Sequence, residues 1–442
     1  MSIIPPRTLK GFRDYLPQTM AAREQVIETA RSVCRNFGFA PIDTPVLEYS
    51  EILLGKGGEE SDRQMYRFED HGGRDVAMRF DLTVPLARFA AQHVRRLGTP
   101  FKRYHVGPVW RGENTQRGRY REFVQFDFDT IGTESLLADV ETLVVVHDLF
   151  AALGFEGFTI HFNNRSLLNG LLDKLGLEDQ AAVVLRALDK MPKIGPHGVS
   201  EELRRAAGTS DQQVNSILAL AGLTGTNDEV VAALPAIVGS SPRAQTGLAA
   251  VEEVLAGVRA SGIPEERIRV DVSIARGLAY YTGTVYETFL ADLPGIGSVC
   301  SGGRYDDLAS LYTKQRLPGI GGSLGVDRLI AAMEELGMVD ESAAAADVFV
   351  ALFVPERVGD YLGLAAELRA AGLSVELYPE ARKLGAQMKY ADRRGHRLAV
   401  IIGEDEWDSQ TAQVKMLATG RSTEVPLSQL GRRCSDMLEE AG

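Results

Sequence analysis

Residues 111–123 read RGENTQRGRYREF. Arg111, Arg117, Arg119 and Arg121 fall within them, with Gly112 and Gly118 between and Phe123 closing the stretch. The flanking segments KRYHVGPVW (102–110) and VQFDFDTIG (124–132) cluster β-branched and aromatic residues as strands do. The pattern predicts a hairpin, with one strand ending at Arg111, a polar loop, and a second strand through Phe123. Arginine's planar fork makes bidentate hydrogen bonds to phosphate oxygens and does not deprotonate. Glycine lets the backbone bend close to a ligand, and an aromatic ring just past Arg121 offers a face to a base. These residues together read as a nucleotide site. A surface hairpin with charged cross-strand pairs is the alternative.

The total charge runs the other way. The 442 residues carry 48 Lys and Arg against 60 Asp and Glu, a formal net charge of −12. Basic character is local. Residues 101–121 hold Lys102, Arg103, Arg111, Arg117, Arg119 and Arg121 against Glu113. Residues 381–397 hold Arg382, Lys383, Lys389, Arg393, Arg394 and Arg397 against Asp392. Two basic patches on an acidic body suggest two separate polyanion contacts. For the second patch, a solvated helix face is an equal reading.

With 45% hydrophobic and 24% charged residues the chain reads as globular, of roughly three domains at about 150 residues each. No apolar run reaches the roughly 20 residues of a membrane span. The opening MSIIPPRTLKGFRDYLP lacks the apolar core and cleavage site of a signal peptide. Cys34, Cys300 and Cys434 are scattered and odd in number, and the histidines show no ligand spacing, so neither a disulfide framework nor a zinc site is expected. A reducing cytoplasm and no membrane partner are the expectation.

Along the chain, residues 20–37 predict an amphipathic helix stopped by Gly38, and FAPIDTPVLEY predicts an extended segment because each proline biases its predecessor away from helix. Strands are expected near 76–81, 101–112, 121–131 and 157–163, and a helix over 135–152. From about 166 to 260, Leu and Ala dominate at helical spacing. Strand-like sequence returns with RIRVDVSIARGLAYYTGTVYETFL, followed by a Gly-rich segment and the helix GVDRLIAAMEELG. MVDESAAAAD has a linker's composition, and strands and helices alternate after it.

At this point a resemblance emerges. Arg111-x-Glu113 with its loop and Phe123 resembles motif 2 of the class II aminoacyl-tRNA synthetases. GFAPIDTPVLE, with Pro45, is similar to their motif 1, and GIGGSLGVDRLIAAM, with Gly325 and Arg328, to their motif 3. ARGLAYYTGTVYE (275–287) and SGGRYDDL (301–308) resemble the two signature segments of the histidyl-tRNA synthetases, and GFRDYLP and RFDLTVPLAR fit the same pattern. The resemblance implies an α+β fold: an antiparallel catalytic sheet flanked by helices, shared between residues 1–165 and 261–335. A helical insertion at 166–260 interrupts it. A linker at 336–346 and a C-terminal α/β anticodon-binding domain at 347–442 follow.

It also implies an activity: ATP-dependent conversion of L-histidine to histidyl-adenylate, then transfer to the 3'-terminal adenosine of histidine tRNA. ATP is then a substrate, accompanied by Mg2+, with no protein metal site expected. The implied nucleotide residues are Arg111, Glu113, Arg119, Arg121, Phe123 and Arg328. Those for histidine are Asp81, Leu82, Thr83, Arg111, Gln125, Asp129, Arg276, Tyr280 and Tyr281, with Arg276 and Arg111 catalytic. The acceptor end of tRNA is expected at Gln116 and Arg117 and the anticodon region at Lys383, Lys389 and Arg393. Motif 1 implies a homodimer. Ala279 departs from the acidic residue usual in the family after Arg-Gly-Leu. Two alternatives remain: the non-catalytic regulatory subunit of ATP phosphoribosyltransferase, which resembles the same catalytic domain, and a sister synthetase for threonine, proline or glycine.

Overall fold

The strands around the predicted hairpin are, in chain order, Ala40–Pro41 (β1), Leu47–Tyr49 (β2), Arg67–Glu69 (β3), Asp75–Met78 (β4), Phe101–Trp110 (β5), Glu122–Ile131 (β6), Phe158–Asn164 (β7), Ile268–Val270 (β8), Thr284–Leu290 (β9), Cys300–Tyr305 (β10) and Gly319–Gly325 (β11). The computed structural model describes residues 3–55, 59–115, 118–274, 280–339 and 346–440. β5 and β6 pair from Phe101↔Ile131 to Trp110↔Glu122 and form the predicted hairpin. They sit in an eight-stranded sheet of order β1-β5-β6-β11-β10-β9-β7-β8, antiparallel except for the two edge pairings. β2, β4 and β3 make a separate three-stranded sheet.

Period-two alternation sorts β6 into two faces. Phe126 and Phe128 are fully buried on one, where Tyr104 stacks on Phe126 and Phe39 meets Phe128 edge-on. Gln125, Asp127 and Asp129 occupy the other. The centre of the sheet is rich in glycine because large groups cross it. A Cβ at Gly322 would overlap the Tyr286 hydroxyl, and one at Gly321 the Asp129 carboxylate. β10 places glycines opposite both, at Gly302 and Gly303.

Between β7 and β8 the chain is helical, from Arg165–Leu175 to Pro242–Ala260. Capping boxes at Ser210 with Gln213 and at Thr226 with Glu229 start two of these helices. Their apolar faces bury Ile217, Leu220, Val230 and Leu234. This segment belongs with the sheet to one compact unit, Met1–Asp14 with Gln25–Leu336.

The second unit is Tyr15–Glu24 with Gly337–Gly442. Its strands Val348–Val350 (β12), Val375–Leu377 (β13), Leu398–Ile401 (β14), Thr411–Met416 (β15) and Ser422–Pro426 (β16) have the order β13-β12-β14-β15-β16. β12 runs parallel to both neighbours, and β15 antiparallel to its own. Val348, Val350, Leu398 and Val400 pack with Tyr361 and Leu364 of the helix Val358–Ala370. The α+β class expected from the sequence is the one observed. Among the described residues no helix is long and apolar enough to cross a membrane.

Acid sensitivity is built into the hairpin. His105 on β5 is buried, with Nε2 2.9 Å from Asp43. Burial first, and then the charges of Arg103 and Arg79, push its pKa down to about 3 from 6.5. The unfolded chain therefore takes up a proton that the folded chain refuses, and stability is lost as pH falls from about 6.5 toward about 3. Melting followed from pH 7 to pH 4 is expected to show this limb, with a slope from this group of up to about 1.4 kcal/mol per pH unit. His105→Asn is expected to flatten it.

Candidate active site

The hairpin, motif 3 and the second histidine-type signature converge on an open pocket of about 190 Å³. One end is cationic. Arg111, Arg119 and Arg328 line it with Glu113 and Phe123. The Arg111 guanidinium lies between two rings, 4.4 Å from the Phe80 centroid and 5.0 Å from that of Phe123, and its Nε donates to the Phe80 carbonyl at 3.1 Å. Arg328 opens the helix Val326–Glu335 and donates to the Ser298 carbonyl at 2.6 Å. Burial, followed by the like charge of Arg119, lowers its pKa. Guanidinium groups held against one another in this way are poised for an anion.

The other end is acidic and aromatic. Asp81 lies just before the helix Thr83–Leu97 and accepts from the Val84 N–H at 2.9 Å, and the Tyr280 hydroxyl lies 3.4 Å from it. Tyr280 and Tyr281 stand edge to face at 5.1 Å. Arg165 supports Tyr281 by donating to its carbonyl at 2.7 Å. Thr83 and Gln125 complete this wall.

Several expected residues lie elsewhere. Leu82 is buried and does not line the pocket. Arg121, expected on phosphates, turns from the pocket: its Nε donates to the Glu113 carbonyl at 3.2 Å and Nη1 to that of Lys10 at 3.4 Å. It therefore holds the loop that carries Glu113. Asp129 sits beneath the floor, where Tyr305 donates to Oδ1 at 2.6 Å and Arg103 approaches Oδ2 at 2.6 Å. Arg276, Gln116, Arg117 and Ala279 lie outside the described residues. Arg111 and Arg328 meet in one pocket as expected.

The first basic patch is not one surface. Arg103 is wholly buried, and Lys102 pairs with Glu141 at 2.6 Å. Arg103 and His105 alternate along β5 as Gln125, Asp127 and Asp129 do along β6, and that parity was the available signal for an inward arginine. Sequence reasoning also missed Asp127. Burial pushes its pKa up to about 7, against the pull of Arg103. Burial likewise raises Asp129 and Asp81. Arg13, from the GFRDYLP segment, binds the Tyr120 hydroxyl at 3.0 Å and reaches Asp327 at 3.4 Å, joining motif 2 to motif 3.

Comparison with known proteins fixes the family. The family model described as histidyl-tRNA synthetase matches residues 11–329, and that of the anticodon binding domain matches residues 347–437. The chain belongs to the histidyl-tRNA synthetase family. It is 57% identical over 426 residues to the histidine–tRNA ligase of Rhodopirellula baltica, covering 96% of each. The solved histidyl-tRNA synthetase from Nostoc sp. PCC 7120 superposes with a TM-score of 0.88 at 34% identity, covering 98% of this chain and 100% of that one. A Bacillus halodurans structure titled as an ATP phosphoribosyltransferase regulatory subunit/histidyl-tRNA synthetase shares the fold, with a TM-score of 0.74 at 23% identity over 88% of this chain and 97% of that one. Among the described residues no cluster of His, Cys, Asp and Glu is arranged to hold a metal ion.

Arg103 is expected to be essential to the floor. Arg103→Met leaves the buried Asp129 carboxylate without its cation and removes a favourable charge from beside Asp127, which should destabilise the fold by about 3–5 kcal/mol near neutral pH. Carboxyl groups whose pKa is raised by burial destabilise increasingly as pH climbs above their ordinary value. Denaturant unfolding should therefore show a smaller deficit at pH 5 than at pH 7.5.

Proposed function

We infer that this chain activates histidine with ATP and transfers the histidyl group to tRNA. The observation that carries this reading is the pocket's polarity, with three arginines at one end and a carboxylate, an amide and two tyrosines at the other. In the first step a carboxylate oxygen of histidine attacks the α-phosphorus of ATP. The bond to the bridging oxygen breaks, and pyrophosphate leaves with that electron pair. In the second step the terminal ribose hydroxyl of tRNA attacks the acyl carbon and AMP departs.

Arg111 binds the α-phosphate and Arg328 the γ-phosphate end of ATP, with Arg119 as a further phosphate ligand. Phe123 and Glu113 take the adenine. Mg2+ enters with ATP and leaves with pyrophosphate. Asp81 and Gln125 receive the ammonium, and Tyr280 and Tyr281 flank the imidazole. A site that hydrogen-bonds both ring nitrogens rejects analogues that leave buried partners unpaired. Arg276 supplies positive charge where negative charge develops on the α-phosphate. The intact arginine set favours catalysis over a purely regulatory role.

Exposed apolar residues on and beside the three-stranded sheet (Val46, Leu47, Tyr49 and Phe68) support a homodimer through motif 1. The enzyme works in the cytoplasm. In the second unit Lys383, Lys389 and Arg393 are exposed and available to tRNA phosphates. Tyr390 is tied down, with its hydroxyl on Glu376 at 2.6 Å and its ring beside Phe349 and Tyr378. The lysines and arginine therefore make the contact, and it weakens with salt. Gln116 and Arg117 meet the acceptor end.

ATP–pyrophosphate exchange with each of the twenty amino acids tests the first step. Exchange is expected with histidine alone, and Arg276→Ala is expected to abolish it. Silence with every amino acid from a folded protein that still binds histidine would favour the regulatory subunit. The combined change Lys389→Ala and Arg393→Ala should leave exchange intact while raising the KM for tRNA several-fold at low salt, with the defect shrinking as salt rises because the lost contacts are electrostatic.

A further inference from the structure

Arg13 has no role in the mechanism above, yet it binds both elements that carry the nucleotide residues. Its Nη1 donates to the Tyr120 hydroxyl at 3.0 Å, and the guanidinium carbon stands 4.3 Å from the centre of that ring. Its Nη2 donates to Asp327 Oδ1 at 3.4 Å. Tyr120 follows Arg119 in the motif 2 loop and lines the pocket itself. Asp327 is buried and precedes Arg328 in the first turn of the motif 3 helix. Its Oδ2 accepts from the Val124 N–H at 2.7 Å, one residue past Phe123. Arg13 and Asp327 thus hold the sequence neighbours of three residues that line the cationic end: Arg119, Phe123 and Arg328.

The segment that carries Arg13 is itself fixed to the loop. The Arg121 N–H donates to the Gly11 carbonyl at 2.8 Å. Gly11 has φ +88°, and a Cβ there would lie 2.8 Å from side-chain carbons of Thr115 and Arg121. Glycine alone brings the backbone this close in that conformation. Such bracing matters because loop and helix repel: burial, and then the charges of Arg119 and Arg111, lower the pKa of Arg328. Arg13 links the two without adding to the repulsion, since the Asp327 carboxylate faces it. Its planar fork reaches two acceptors in fixed directions, which an ammonium on a flexible stem does not.

We propose that Arg13 is a positioning residue for ATP: by bridging Tyr120 and Asp327 it sets the spacing between the motif 2 loop and the motif 3 helix, and so that of Arg119 and Phe123 from Arg328. This rests on the reading of those three residues as part of the nucleotide site. Asp81, Tyr280 and Tyr281 at the amino-acid end belong to other segments of the chain, so the effect falls on ATP and spares histidine.

The test is ATP–pyrophosphate exchange by the full-length enzyme, with ATP and histidine titrated separately. Arg13→Lys keeps a cation opposite the buried carboxylate, so the fold is retained, but its ammonium does not bridge both partners. It is expected to raise the KM for ATP about ten-fold, the order of a hydrogen bond to a charged group. The KM for histidine should stay within about two-fold. Tyr120→Phe removes the other end of the bridge. It should raise the KM for ATP several-fold in the unaltered background and little further in Arg13→Lys. The proposal is overturned if Arg13→Lys leaves the ATP KM unchanged, if it raises both KM values alike, or if the two changes multiply in full, as they would were Tyr120 acting on ATP by itself. Stabilisation by ATP gives a readout without catalysis. Arg13→Lys should need about ten-fold more ATP for the same rise in melting temperature, and an equal requirement overturns the proposal. If the unaltered enzyme shows no exchange but is stabilised by ATP, the amino-acid activation reading falls and the melting comparison still decides the role of Arg13. An unaltered protein that ATP does not stabilise would remove the nucleotide site and this proposal together.

Discussion

Two buried aspartates on one face of one strand, only one of them paired with a buried guanidinium, set the terms for the rest of the catalytic unit. Like charges two residues apart in a low-dielectric interior repel strongly, and burial penalises each further. Asp129 is neutralised by Arg103 and the Tyr305 hydroxyl. Asp127 has no such ion pair; burial raises its pKa to about 7, and the charge of Arg103 offsets only part of that. The neighbouring strand must then be glycine, since any side chain at Gly321 would occupy the space of the Asp129 carboxylate. The Gly-rich character of motif 3 therefore follows partly from space: backbone is the only wall thin enough to lie against this buried acid and the Tyr286 hydroxyl.

The cationic end obeys the same logic with the sign reversed. Burial first, and then the like charges of Arg119 and Arg111, lower the pKa of Arg328. Such a cluster is unfavourable in the empty protein, and the fold keeps it together by tying each group to something fixed. Arg111 rests between Phe80 and Phe123, and Arg328 is pinned to the Ser298 carbonyl. Preorganised donors of this kind need no reorganisation when negative charge develops. Arg121 and Arg13 do the corresponding work outside the pocket, holding the motif 2 loop and the helix of motif 3 in place.

Much of this was legible in the sequence because the signals were local. The hairpin, its arginines and the ring at Phe123 lie within one short stretch, and strand alternation with clustered Arg and Gly reports both element and chemistry. Arg103 was misread as surface charge because counting cations along the chain ignores which face a strand residue occupies. Arg121 was placed on phosphate for a similar reason: its chemistry suited the role, but its backbone carbonyl partners at Lys10 and Glu113 belong to the folded loop. The hydrogen bond between Gln125 and Ser323 was beyond reach. Gln125 and Ser323 are separated by 198 positions, and nothing in either segment states the register that brings β6 against β11. Local chemistry can be read from residue types, whereas pairing across a sheet needs the topology.

Arg111 joins the two halves of the site. The charges that favour its ionised form are led by Asp81 at the amino-acid end, with Glu113 at the nucleotide end next. An amino acid is a dipole, and a pocket negative at one end and positive at the other orients it before any specific bond is made. In the proposed reading its ammonium is drawn toward Asp81 and Gln125 and its carboxylate toward the arginines. That is the orientation in which the carboxylate oxygen faces the α-phosphate. Proximity and alignment of this kind supply a large part of the acceleration of a two-substrate step. In that reading Asp81 at one end of the pocket and the arginines at the other determine which end of histidine meets ATP.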